Sequence, residues 1–403
     1  MRLPVAKATH RQTREHNQRL VLRTVYDHGP ISRAEVARST GLTRTTVSDV
    51  VGELLNEGMV EEIGRGPSSG GKAPILLGVV DDARLVIGLD LGESEFAGAL
   101  VNLRGEVRRE VTLPVDGANG AEAVALVHRL VEELIADAPA RPLGIGVGTP
   151  GLVDTRTGTI RWAVNLDWQD LPLGGLLAER HRLPTYVAND SQAAALAEYA
   201  FGDDVPRPRN LVTIRVGRGI GAGIVLDGNL FQGDGFGAGE IGHVTAIEAG
   251  ADCRCGRSGC LETVASSRAI VRRAAELARQ NGSPLADQID GRGDEAGFEA
   301  VVRAWLDGDA SARDAALEGA RHLGAAIAGV IGALNVSRIV IDGPVSAFGP
   351  TWLAAVAETA RARSLALLAG DTEIAFGSGG RDVVVLGASA LLITRELGLS
   401  LAR

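Results

Sequence analysis

Cysteine is scarce. The chain has three in 403 residues, and all of them fall between Cys253 and Cys260. So few thiols, placed so close together, exclude a disulfide framework and fit a reducing, cytoplasmic compartment. Long apolar runs are missing as well. The Ala-rich stretch Gly324–Leu334 is too short to cross a bilayer and reads as part of a buried core helix, so no membrane partner is expected. The opening residues MRLPVAKATHRQTREHNQRL carry charges but no apolar core, and therefore do not read as a signal peptide. The chain also lacks an overall positive charge. The net of −9 is unevenly spread: residues 1–80 hold 11 Lys+Arg against 8 Asp+Glu, and the remainder holds 30 against 42. A mildly basic head on an acidic body points to nucleic-acid contact at the head.

The residues present divide the chain at about residue 80. In 1–80, an amphipathic stretch Asn17–Asp27 gives way to the break Asp27-His28-Gly29-Pro30. Ser32-Arg33-Ala34-Glu35 has the spacing of a capping box and starts a second helix that stops at Gly41. Thr43 caps a third helix, Arg44–Glu57, whose Val47, Val51, Leu54 and Leu55 form one buried face. Two short helices about a Gly-containing turn are a helix-turn-helix, in which the start of the second helix meets base edges. Two short strands joined by a Gly/Ser loop with Arg65 and Lys72 then make a wing able to follow the phosphate backbone. The candidate DNA contacts are Arg33, Thr43, Arg44, Thr45, Thr46, Ser48, Arg65 and Lys72. Arg11, Arg14, Arg19 and Arg23 are either further phosphate contacts or a solvated helix face.

Residues 81–403 show an α/β pattern twice over. A strand leading into Asp90-Leu91-Gly92 is followed by strands Phe96–Leu103 and Val107–Pro114, a helix Ala121–Ala136 and a strand Pro142–Val147. Later, Asn210–Val216 ends in a glycine-rich turn, Gly217–Gly223, followed by Ile224–Leu226, the long helix Ala312–Leu334, the strand Ser337–Asp342 and a last helix Ala388–Leu397. Such a repeat predicts two duplicated lobes around a cleft. Within the second half, His243, Cys253, Cys255 and Cys260 supply the Cys3His donor set of a closed, tetrahedral zinc site, so Zn2+ is the expected cofactor. Glu240 and Glu262 flank this knot.

These motifs give the chain a family likeness. Asp90-Leu91-Gly92, Gly148–Asp154, Asn189-Asp190, Gly217–Gly223, Gly237–His243, Cys253–Glu262 and Ile341-Asp342-Gly343 resemble the ROK family (repressors, open reading frames, kinases) in its winged-helix repressor form. The resemblance implies an α/β fold: an N-terminal winged helix-turn-helix over 1–80, then a two-lobed actin-like, hexokinase-like ROK domain over 81–403 with a zinc-binding insertion near 243–260. It also implies that Asn189, Asp190, Glu240, His243 and Glu262 contact sugar hydroxyls, with Asn165 a weaker member of the set. Carboxylates and amides of fixed geometry suit hydroxyls, each of which both donates and accepts.

The family also contains sugar kinases, in which the residue matching Asp190 is the general base. In those kinases the first turn resembles Asp-x-Gly-Gly-Thr-Lys, whereas this chain reads Asp90-Leu91-Gly92-Glu93-Ser94-Glu95. Two carboxylates thus stand where ATP phosphates would lie, an expensive juxtaposition. At the second turn Arg218 replaces a threonine-type residue, and the adenosine-side pair of glycines reads Asp342-Gly343-Pro344. These departures predict a retired kinase site beside a retained sugar site. The expected function is a sugar-responsive repressor, a homodimer or homotetramer binding operator DNA; the competing reading is an ATP-dependent sugar kinase with a DNA-binding head.

Overall fold

The structure is a computed structural model, and it describes residues 9–67, 73–203 and 208–399. The head is built from α1 (His10–His28), β1 (Ile31–Ser32), α2 (Arg33–Thr40), α3 (Arg44–Asn56), β2 (Val60–Arg65) and β3 (Ile75–Val79). Ser32 and Glu35 cap α2 reciprocally, Gly41 ends it in the left-handed conformation, and the Thr43 side chain accepts from Thr46 N to start α3. Val47, Val50, Val51 and Leu54 are the buried face of α3. The strands pair in the order β1-β3-β2, which makes the expected wing; residues 68–72 of its loop, Lys72 among them, lie outside the described residues.

Helix α1 is longer than the apolar pattern predicts. Thr9 and Gln12 form a second reciprocal cap, and Arg14 and Gln18 bind Glu53 of α3 and Glu57, its C-cap, so polar contacts carry the first two turns. The arginines of this helix are largely spent on acids of the same chain: Arg11 on Glu15, Arg14 on Glu53, Arg23 on Asp27.

The rest of the chain runs β4 (Val86–Leu91), β5 (Glu95–Val101), β6 (Val107–Pro114), α4 (Gly120–Asp137), β7 (Ile145–Thr149), β8 (Leu152–Asp154), β9 (Thr159–Ala163), β10 (Trp168–Leu171), α5 (Leu173–His181), β11 (Thr185–Asn189) and α6 (Asp190–Phe201). It continues β12 (Leu211–Val216), β13 (Ile220–Leu226), β14 (Asn229–Phe231), α7 (Glu262–Ala265), α8 (Ser267–Asn281), α9 (Leu285–Ile289), α10 (Asp294–Leu306), α11 (Ala310–Leu334), β15 (Arg338–Asp342), α12 (Pro350–Arg363), α13 (Ala366–Gly370), β16 (Glu373–Phe376) and α14 (Val383–Leu397).

Two five-stranded sheets carry this part, ordered β11-β7-β4-β5-β6 and β14-β13-β12-β15-β16. Numbered along the chain within each sheet, both have the order 3-2-1-4-5. Each opens with antiparallel pairs and adds its fourth strand parallel to the first. The repeat expected from sequence is therefore a repeat of topology. One compact unit comprises Met1–Thr149, Arg156–Val187 and Ala388–Arg403; the other comprises Pro150–Thr155 and Ala188–Gly387.

In the first unit the head is fastened to the β5–β6 turn. The Tyr26 hydroxyl donates to the Leu103 carbonyl at 2.8 Å in a buried contact, and Arg104 lies over the Tyr26 ring at 3.9 Å. Arg104 also binds the Tyr26 carbonyl and Asp81. In the second unit, β12, β13 and β15 press one face against α8, α11 and α12 through a core of Val, Ile and Ala closed by Phe348 and Trp352. One expectation is corrected here. The glycine-rich turn spans only Gly217–Gly219, and residues 220–223 already belong to β13. Gly221 and Gly223 are small because α6 lies directly on the strand: a Cβ on Gly223 would sit 2.3 Å from the Ser191 carbonyl oxygen.

Candidate ligand site and metal centre

His243, Cys253, Cys255 and Cys260 converge in the second unit, with their ligand atoms all within 4.8 Å of one another. Local turns build the cluster. Cys253 N donates to Arg257 O at 2.7 Å and Gly256 N to Cys253 O at 3.0 Å, which folds Cys253 and Cys255 to one side. Bridges Thr245–Cys260 and Asp252–Ser258 close the loop. Cys255 Sγ and Cys260 Sγ are 3.7 Å apart, and Cys253 Sγ is 3.6 Å from His243 Nδ1. A zinc ion with Zn–S near 2.3 Å and Zn–N near 2.05 Å in tetrahedral geometry requires about 3.8 and about 3.6 Å for those edges. The donor set and its spacing thus fit the ion. Four protein ligands would make it a structural site, and bound zinc would hold the thiolates and fix the imidazole tautomer.

The Nδ1 edge of His243 faces the cysteines, so Nε2 points away, 3.8 Å from Glu240 Oε2. Glu240 and His243 stand on the loop after β14, held tightly against β13. Gly239 has φ +102°, and a Cβ there would lie 1.8 Å from the Ala222 carbonyl oxygen, so only glycine fits. The side chain of Glu240 is 46% exposed. Desolvation by the surrounding protein nonetheless raises its carboxyl above the usual range, Asp190 and Glu262 add to the rise, and His243 opposes it.

Glu262, the first residue of α7, links the metal loop to the glycine turn. Its Oε2 accepts from Ile220 N at 3.1 Å, and its Oε1 is 4.0 Å from Cys253 Sγ. Gly219 leaves room for that carboxylate, since a Cβ would sit 2.7 Å from Oε2. Asn189 caps α6: its Oδ1 accepts from Ser191 N and Gln192 N, and its Nδ2 donates to Gly151 O at 3.0 Å. Its geometry serves first to present Asp190. Asp190 Oδ1 accepts from Ser191 N at 2.7 Å. Its Oδ2 lies 3.8 Å from Arg215 Nε, and Arg215 Nη1 lies 3.7 Å from Asp342 Oδ2.

Sequence reasoning missed Arg215 as a member of this site. The signal was available only in retrospect: a charged residue inside an otherwise uncharged, mostly apolar strand.

Five of the six sequence-predicted sugar residues, Asn189, Asp190, Glu240, His243 and Glu262, thus belong to the second unit. Asn165 lies in the first, exposed on the short turn between β9 and β10. Glu93 and Glu95 also lie in the first unit, at the β4–β5 turn, and Arg218 lies on the glycine turn of the second. In the head, Arg44, Thr45 and Ser48 are exposed along the start of α3. Thr43 and Thr46 are occupied in the cap, their hydroxyls 2.9 Å apart. Arg33 binds Glu62 at 2.9 Å, and Arg65 is exposed at the end of β2.

A loop carrying a Cys3His cluster beside a group of carboxylates, on a doubled α/β sheet, matches one family model over most of the chain, residues 86–395. The chain belongs to the ROK family. Residues 14–61 match a winged helix-turn-helix DNA-binding family. Over 392 residues the chain is 34% identical to the xylose repressor of Caldicellulosiruptor bescii, covering 96% of this chain and 98% of that one. A solved ROK family transcriptional regulator, described as a homologue of the E. coli MLC protein, superposes with a TM-score of 0.83 at 29% identity, covering 96% and 98%. A ROK glucokinase from Streptomyces griseus, solved with glucose and AMPPNP, gives a TM-score of 0.68 at 28% identity. That match covers 98% of the glucokinase but 76% of this chain. Among the described residues no helix is long and apolar enough to cross a membrane.

Proposed function

We propose that this ROK protein is a sugar-responsive transcriptional repressor of the cytoplasm. The winged head binds an operator as part of a homodimer or homotetramer, and a sugar or sugar derivative meets Asp190, Glu240, His243 and Glu262. One observation carries the reading: a winged head is joined to a body in which Asp190, Glu240, His243 and Glu262 offer groups suited to hydroxyls, while the turn matching the phosphate-facing turn of the kinases carries Glu93 and Glu95. A carboxylate-rich site of this kind favours a neutral polyol and disfavours a phosphorylated one, because like charges repel strongly where water is thinned. Zinc serves structure here: it fixes the loop that carries His243 and Glu262. Ligand binding releases DNA to the extent that the ligand favours one arrangement of the units over another.

The test is a mobility-shift assay with DNA fragments selected from random sequence, with and without D-xylose, D-glucose and N-acetyl-D-glucosamine. Sequence-specific retardation that a sugar relieves is the expected result; no sequence-specific binding at moderate salt overturns the reading. The presence of Asp190 and the match to a glucokinase support a second reading, a sugar kinase with a regulatory head. Sugar-dependent ADP release by the wild-type protein would establish it. The expected result is none.

A further inference from the structure

Arg215 is the fifth residue of β12. Val212, Ile214 and Val216 of this strand face the core shared with α8, α11 and α12. Alternation places Arg215 on the opposite face, where Leu211 packs with Ala195 of α6 and Val340 of β15. The parallel register sets Arg215 opposite Asp342, the last residue of β15. Its guanidinium therefore emerges under the start of α6, between Asp342 and Asp190.

Both charge pairs, at 3.7 and 3.8 Å, are longer than hydrogen bonds and act through charge. Asp342 is the anchored end. Its side chain is 7% exposed, and its Oδ2 accepts no hydrogen bond among the described residues. Burial raises its carboxyl, and Arg215 is the first influence that opposes the rise. Removing the cation would leave a buried carboxylate uncompensated, which is costly. Asp190 is the presented end: α6 holds Oδ1 through Ser191 N, and Arg215 attracts Oδ2.

We propose that Arg215 is a positioning residue: anchored on Asp342, it holds the Asp190 carboxylate in place as an acceptor for a ligand hydroxyl. This rests on the reading above, in which ligand hydroxyls meet Asp190. The arrangement serves recognition: a carboxylate restrained at both oxygens loses little freedom on binding, and hydrogen bonds to a charged acceptor are about twice as strong as neutral ones.

The experiment is calorimetric titration of the full chain with D-xylose, D-glucose and N-acetyl-D-glucosamine, alongside melting temperatures without sugar. The variants are Arg215→Thr, Arg215→Lys, Asp190→Asn and the double variant Arg215→Thr/Asp342→Asn. Arg215→Thr should weaken the sugar that binds by about tenfold or more, and Arg215→Lys should recover most of the loss. The double variant guards against misfolding, since it removes the stranded buried charge. It should regain melting temperature without regaining affinity. Wild-type affinity in the double variant would reduce Arg215 to a neutraliser of Asp342 and overturn the proposal. Arg215→Thr binding normally while Asp190→Asn fails to bind would also overturn it, leaving the ligand reading intact. Unchanged binding in Asp190→Asn, or no binding of the three sugars by wild type, would remove the ligand reading and the proposal together.

Discussion

Replacing Tyr26 with phenylalanine removes a single oxygen from the joint between the head and the first unit. The ring stays beneath Arg104, 3.9 Å from its guanidinium, so the cation–π contact survives. What is lost is the buried 2.8 Å bond to the Leu103 carbonyl. A buried acceptor left without its donor costs about 1–3 kcal/mol. Arg104 limits the damage by continuing to bind the Tyr26 carbonyl and Asp81. The expected loss is therefore about 1–2 kcal/mol at the lower end of that range, or roughly 2–8 °C in Tm for a body of 150–250 residues. Differential scanning calorimetry measures this directly. The functional counterpart is sharper. Operator affinity without sugar should be nearly unchanged, because α3 is untouched, whereas sugar should release less DNA, because the head is less firmly tied to the unit that carries it. Tm within 1 °C of wild type, together with normal sugar release, would refute the joint as a mechanical link.

Other outcomes follow from the same structure. Chelation, or Cys255→Ser, should lower Tm and sugar affinity together, since the metal loop carries both His243 and Glu262; calorimetry and titration on the same samples would show affinity unmoved if the two are independent. Arg44→Ala should weaken operator binding without altering sugar affinity, as read by mobility shift and titration; equal DNA binding would remove Arg44 from the interface. Glu93→Gly combined with Glu95→Lys should raise any trace of sugar-dependent ADP release, and a flat assay would place the loss of kinase chemistry elsewhere. Finally, His128 Nδ1 and His181 Nε2 lie 3.0 Å apart, and burial, first among the causes, holds both rings below the usual range. The unfolded rings take protons near pH 6.5 and the folded ones lower, so this contribution is present above that pH and is lost as pH falls through and below it. His128→Gln should therefore show a smaller drop in Tm between pH 7 and pH 5.5 than wild type, with the acid lability of the metal loop common to both; equal drops would refute the assignment.

The features legible in the sequence are those whose causes are local. Ser32 and Glu35 are three residues apart and cap the same turn. The candidate metal ligands sit in one loop, and Thr43 caps the helix beside it in sequence. Less was legible where partners are distant. The first turns of α1 lack an apolar stripe and are held by Glu53 and Glu57, from the end and the C-cap of another helix. Gly221 and Gly223 look like a loop by composition, and only the approach of α6 explains them as strand. Asn189 reads as a ligand residue by family likeness, yet the structure first employs it as a cap. Arg215 gains its meaning from Asp342, which is far along the chain and adjacent only through the register of β12 with β15.

The Tyr26–Arg104 joint also bears on how such regulators can be recombined. The head's last strand ends at Val79, but its packing continues into Asp81, Leu103 and Arg104. A chimera that exchanges residues 1–80 alone would set a foreign helix against a turn shaped for Tyr26. Transplanting the β5–β6 turn with the head, or choosing donors that keep the tyrosine–arginine pair, would carry the joint across intact. The portable part of this repressor is then a head plus its socket, two stretches of sequence that must travel together.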